Sequence, residues 1–250
     1  MKIIYSIFLL YLVMVSCNKK TEFTPKVYHE ASAIECKSDY NCANINLEVI
    51  EATNKRDVSN FINATIFDSI KNAVYIGENP NEVENYRDLT HSFVSLFSKL
   101  KSELKQDKIP SWEASTKTKV GYQSNKMLNV VIDYYVFTGG AHGYGAVKSL
   151  LFDAKTGKIL SLNEIFSDIE KIKSLAETKF RKQEKIAQNM PLNDAGYFFD
   201  KNIFVLPRNI MFTKNGLTFY YNQYEVASYA NGPIEIELSY EEIKPYLLIQ

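Results

Sequence analysis

The chain is short of most residues that announce chemistry. It has three histidines, three cysteines, one tryptophan and ten glycines in 250 residues. His29, His91 and His142 lie far apart and none has an i, i+4 partner, so no local histidine metal site is expected. There is no G-x-S-x-G, no Walker A loop, no G-x-G-x-x-G after a strand and no H-E-x-x-H, so no residue is assigned a catalytic role and no cofactor is expected. Excess charge is missing too: 29 Lys and Arg balance 29 Asp and Glu, without long blocks of either sign. That balance argues against a nucleic-acid partner. Carboxylate pairs such as Asp133 with Asp153 or Glu225 could do acid–base work, but 29 acidic residues make such pairs unspecific. What is plentiful is apolar and aromatic: 46% hydrophobic residues suffice for a buried core, and 17 tyrosines favour sheet surfaces.

The amino terminus carries the most specific signal. Lys2 precedes an apolar run from Ile3 to Val15, too short for a comfortable membrane span but suited to a signal peptide. Met14-Val15-Ser16-Cys17 resembles the lipobox of bacterial lipoprotein precursors, which implies cleavage after residue 16 and acylation of Cys17. An ordinary secretory signal with an incidental Cys17 is the alternative. The polar stretch 17–27 then reads as a tether. Cys36 and Cys42 enclose five residues, and in an exported chain they read as a short-loop disulfide. Two free thiols, or a metal site with His29 that lacks a fourth ligand, are the alternatives.

Periodicity outlines the rest. Ile45, Leu47 and Val49 share one face of a strand. Val58, Ile62, Ile66, Ile70 and Val74 predict a helix over 57–75, and a second apolar stripe predicts one over 81–105. His91 lies off that stripe, on the solvated face. Strands are expected at Trp112–Gln123, Met127–Phe137 and Ala146–Asp153, with Ser124-Asn125-Lys126 and the Gly157 turn between or after them. A helix from Ser167 is expected, with Glu170 completing a capping box. Asn215-Gly216 marks a hairpin between Ile210–Thr213 and Leu217–Tyr221. An alternating strand at 234–238 leads into a second capping box, Ser239 with Glu242. Grouped rather than alternating elements predict an α+β fold with antiparallel sheets and helices packed on one face.

The segment FTGGAHGYG, from Phe137 to Gly145, is the one dense glycine cluster. Gly139, Gly140, His142 and Tyr144 are the candidate ligand-facing residues there, because glycines let a ligand approach the backbone and a loop imidazole can exchange a proton. The structural reading is a hard turn between strands, with His142 satisfying carbonyls at their ends.

Tyr134 to Gly143, followed by Phe152-Asp153, Thr156-Gly157-Lys158 and Ile165-Phe166, resembles the meeting point of two extracytoplasmic domains. These are the PdaC-type domain of some peptidoglycan deacetylases and the carboxy-terminal domain of RsiV-type anti-sigma factors, which sense lysozyme. Gly216 to Tyr221 and Tyr224 to Gly232 are similar to two further motifs of the second domain, with departures at Val226 and Ser228. The resemblance implies a division at 28–140 and 141–250, the two packed as one unit. Deacetylation belongs to a separate metal-bearing domain for which no motif is present, and anti-sigma activity needs a spanning helix. The resemblance therefore implies a lipid-anchored, extracytoplasmic binding or sensing protein of the bacterial cell envelope, in the periplasm or at the surface. Its partners would be the membrane and either lysozyme or peptidoglycan. The alternatives are an envelope hydrolase using His142 with a carboxylate, and an envelope scaffold factor.

Overall fold

The computed structural model describes residues 20–32, 39–104 and 108–249. The expected signal peptide, Cys17 and Cys36 lie outside them, so the lipobox and the Cys36–Cys42 pairing are not described. Among the described residues eight strands form two sheets, and the helices are grouped, which is the α+β arrangement expected from the sequence.

The first sheet holds β1 (Phe23–Ala31), β2 (Ala43–Ala52), β3 (Trp112–Gln123), β4 (Met127–Phe137) and β5 (Tyr144–Asp153) in that spatial order. Between β2 and β3 run two helices, α1 (Arg56–Val74) and α2 (Tyr86–Leu104), and this crossover returns the chain so that β2 and β3 pair in parallel. All other strand pairs are antiparallel. Ile62, Ile66 and Ile70 of α1 and Leu89, Phe93 and Phe97 of α2 bury their stripe against Leu47, Val130 and Ile132 of the sheet. Trp112 fills the end of this core between Phe93 and Phe97, with ring centroids 5.7 and 5.6 Å away. Each such side chain contributes roughly 1.5–3 kcal/mol by leaving water.

The second half begins with a one-turn helix, α3 (Leu162–Ile165), then α4 (Ile169–Gln183). A three-stranded sheet follows, β6 (Asn209–Phe212), β7 (Gly216–Tyr221) and β8 (Ile234–Ser239), and the chain closes with α5 (Tyr240–Ile243). Ile172, Ala176 and Phe180 of α4 pack with Phe219 and Ile236 into a second core. Met127 and Leu151 of the first sheet belong to that second core, so the two halves share a face of β4 and β5. The expected seam near residue 140 falls in the β4–β5 loop, and β5 pairs with β4 along its whole length.

Three expectations change. Residues 23–27, read as tether, form the first half of β1, where Thr24, Pro25, Lys26 and Val27 are all exposed. An edge strand tolerates proline and, with no buried face, shows no alternation to read. Residues 20–22 are fastened as well: Asn54 Nδ2 donates to the Lys20 carbonyl (2.7 Å), Glu22 N to Asn54 Oδ1 (3.0 Å) and Gln123 Nε2 to the Thr21 carbonyl (3.1 Å). The cap of α4 is Asp168, whose carboxylate accepts from Lys171 N at 2.9 Å, and Ser167 instead donates to the Tyr246 carbonyl. The second helix starts at Tyr86, because Pro80–Glu82 forms its own 3-10 turn.

Candidate functional site

The β4–β5 loop turns on Gly139 and Gly140, both with φ near +100°, a region closed to most side chains. The turn sends the two groups of candidate residues to different surfaces. Gly140 lines an open cleft of about 560 Å³ with Asp39, Tyr40, Trp112 and Glu113 at the ends of β2 and β3. His142 points instead toward the second half of the chain.

There it meets the loop joining β7 to β8. The His142 ring stacks on Tyr229 with centroids 4.6 Å apart, Tyr224 lies 5.3 Å from Tyr229, and the Tyr224 hydroxyl stands 3.4 Å from His142 Nε2. On its other side His142 Nδ1 is 2.9 Å from the Gly143 carbonyl, the contact expected of a turn histidine. Tyr224 is 52% exposed and Tyr229 37%, so the three rings form a surface rather than a core. Tyr221, three residues earlier, is the reverse case: it is buried, its hydroxyl donates to the Val205 carbonyl, and burial pushes its phenol pKa far up. Tyr144 completes the rim, leaning on Tyr134. Burial raises its pKa, and the neighbouring Glu225 carboxylate adds to the rise.

Two features fix this surface. Tyr224 has φ +66°, an outlier for a bulky residue and a sign of imposed backbone strain. Asn222 holds the base of the same loop by pairing with the exposed edge of β5: it accepts from Val147 N at 2.7 Å and donates to the Val147 carbonyl at 2.9 Å. Glu225 is turned inward to the loop, accepting from Asn222 N at 2.9 Å.

The carboxylate pairs fare differently. Asp133 lies opposite Val147 and Asp153 six residues further along β5, roughly 20 Å apart, beyond the reach of a glycosidase-type pair. His29 and His91 lie by a separate polar groove between β1 and α2, with His29 Nε2 2.9 Å from Asn44 Oδ1 and His91 Nδ1 3.0 Å from Glu30. Among the described residues no group of three or more His, Cys, Asp or Glu could hold a metal ion, and no helix is long and apolar enough to cross a membrane. The meeting of His142 with Tyr224 and Tyr229 was not readable in sequence, because 82 residues separate the two loops. The only local signal was that both stretches carry glycines and tyrosines together.

No curated protein matches the chain. Residues 34–144 match the family model described as deacetylase PdaC. A solved member of the DUF3298 family from Bacteroides fragilis is 23% identical over 92% of this chain and 95% of its own, with a TM-score of 0.69. A DUF3298 family protein from Pseudomonas aeruginosa is 14% identical over the same shares, with a TM-score of 0.63. Residues 163–241 match the model of that family, a protein of unknown function, so the chain joins a PdaC-like segment to a DUF3298 segment within a fold shared by solved DUF3298 proteins.

Proposed function

We propose that this is a lipid-anchored, non-enzymatic binding protein of the bacterial cell envelope whose ligand contact is the His142–Tyr224–Tyr229 surface. The observation that carries the reading is Tyr224, held at φ +66° yet 52% exposed. Strain of this kind costs roughly 1–3 kcal/mol and persists where a side chain must be presented. The ligand class is cell-wall glycan. Exposed aromatic rings offer π faces to the C–H faces of sugar rings, and phenol hydroxyls bond to sugar hydroxyls without needing charge. Both ring nitrogens of His142 already face polar neighbours, which suits a positioning role better than proton transfer.

Titration of the purified protein with soluble muropeptides tests this, with Tyr229→Ala expected to weaken binding about tenfold or more at unchanged melting temperature. Unaltered binding by Tyr229→Ala sinks the reading. The same titration with lysozyme tests a protein ligand, which a tyrosine-rich patch also suits. Anchoring is tested separately: incorporation of labelled palmitate should vanish in Cys17→Ser.

A further inference from the structure

Several chain segments converge where the described chain begins. Lys20, Lys55, Gln123, Asn125 and Ala154 line one shallow depression. Ala154 N donates to the Lys126 carbonyl at 2.9 Å, which ties the β3–β4 turn to the turn after β5. A Cβ on Gly157 would stand 2.6 Å from the Val58 carbonyl, so that second turn lies directly on the first turn of α1. One pole of the molecule is therefore built from residues 20–22, 53–58, 124–126 and 154–158.

It is a basic pole in a chain of zero net charge. Lys20, Arg56, Lys126, Lys155 and Lys158 are exposed there and Lys55 is half-exposed. The carboxylates there are the exposed Glu22 and Asp57, and Asp153 with Glu164 beside it, fewer than the six cations; Glu164 is held by Ser161, and Asp153 is occupied by its own turn. It accepts from Lys155 N (3.1 Å), Thr156 N (2.7 Å) and the Thr156 hydroxyl (2.8 Å). The amino terminus of α1 opens onto the same pole and adds positive potential. Beside Lys158, Ile159 is 48% exposed, an apolar side chain next to the cations.

We infer that this pole is a docking surface for an anionic phospholipid bilayer. Its orientation rests on the anchoring proposed above. Three steps of chain separate Lys20 from Cys17, at most about 11 Å when extended. Because Asn54 and Gln123 clamp residues 20–22 to the body, an acylated Cys17 draws this pole to within about a Debye length of the headgroups. Basic side chains gain most from an anionic surface at that range. β5 runs from Tyr144 near the aromatic surface to Asp153 at the basic pole, about 30 Å, so the same orientation carries His142 and its tyrosines away from the membrane.

The pole can be tested without the anchor. The chain from Lys20 onward holds every described residue of both cores and is mixed with vesicles of phosphatidylcholine, with or without phosphatidylglycerol. Co-sedimentation only with phosphatidylglycerol vesicles, reversed by salt, is the expected result. The variant Lys126→Glu/Lys155→Glu/Lys158→Glu, all in exposed turns, should bind at least about 100-fold more weakly at an unchanged melting temperature. Equal binding to both vesicle types, a variant that binds as the parent does, or capture by soluble polyphosphate without vesicle binding overturns the inference. Palmitate labelling that is absent from the parent chain, or that persists in Cys17→Ser, would refute the anchor while leaving these outcomes standing, so the two readings fail separately.

Discussion

Asn129 is fully buried on β4, and both ends of its amide are engaged. Its Nδ2 donates to the Ser149 hydroxyl (2.8 Å) and to the Leu150 carbonyl (3.2 Å), while its Oδ1 accepts from Phe212 N across the junction at 3.0 Å. Asn129→Ala strands the Phe212 amide and leaves a cavity, and should lower unfolding free energy by about 3 kcal/mol, read from urea midpoints. Tyr224 predicts the opposite pattern. Tyr224→Gly relieves a left-handed backbone, so it should keep or raise the melting temperature while weakening ligand binding. Sequence singled out His142 and the glycine turn because positive φ has a compositional signature. It could not single out Asn129, since a buried amide and a solvated one are spelled alike.

Among elements, α4 gives the sharpest comparison. Asp168→Ala should cost about 1 kcal/mol of stability, whereas Ser167→Ala, which loses only a 3.3 Å bond to the Tyr246 carbonyl, should cost less; thermal denaturation of the two separates them. The spacing Ser167-x-x-Glu170 looked like a capping box because the adjacent Asp168 is an equally good acceptor. Ser239 and Glu242 had no such competitor, and there the box forms in full. A box with the same spacing, Ser161 with Glu164, opens the four-residue α3. Strands with one wet face were legible, as at 234–238. The edge strand β1 was not, and neither was the parallel pairing of β2 with β3, because register between strands separated by two helices leaves no local trace.

Across the whole molecule, several carboxylates are tuned for the folded state. Lys179, bonding at 2.9 Å, lowers the Glu242 pKa and outweighs partial burial. At Asp153 burial opposes ionisation, yet bonds from the Thr156 hydroxyl and from the Thr156 and Lys155 amides prevail and lower the pKa. Ser161 amide and hydroxyl lower that of Glu164. Folded values below unfolded ones mean that the unfolded chain binds more protons. Stability is then full above about pH 5 and falls as pH drops through roughly 4 and below. Denaturant midpoints measured across that range should decline, and less steeply in Glu242→Gln.

The edge of β5 carries a last consequence. Val147 and Ser149 turn their backbone groups outward, and the amides of Asn222 and Asn209 answer them from the other half of the chain. Those two asparagines do the work of a sixth strand. Excised at residue 153, the first half would keep its hydrophobic core but lose that cover, and its bare edge would pair with another copy of itself. The five-stranded half transplanted by itself therefore needs a substitute for Asn209 and Asn222 to stay monomeric.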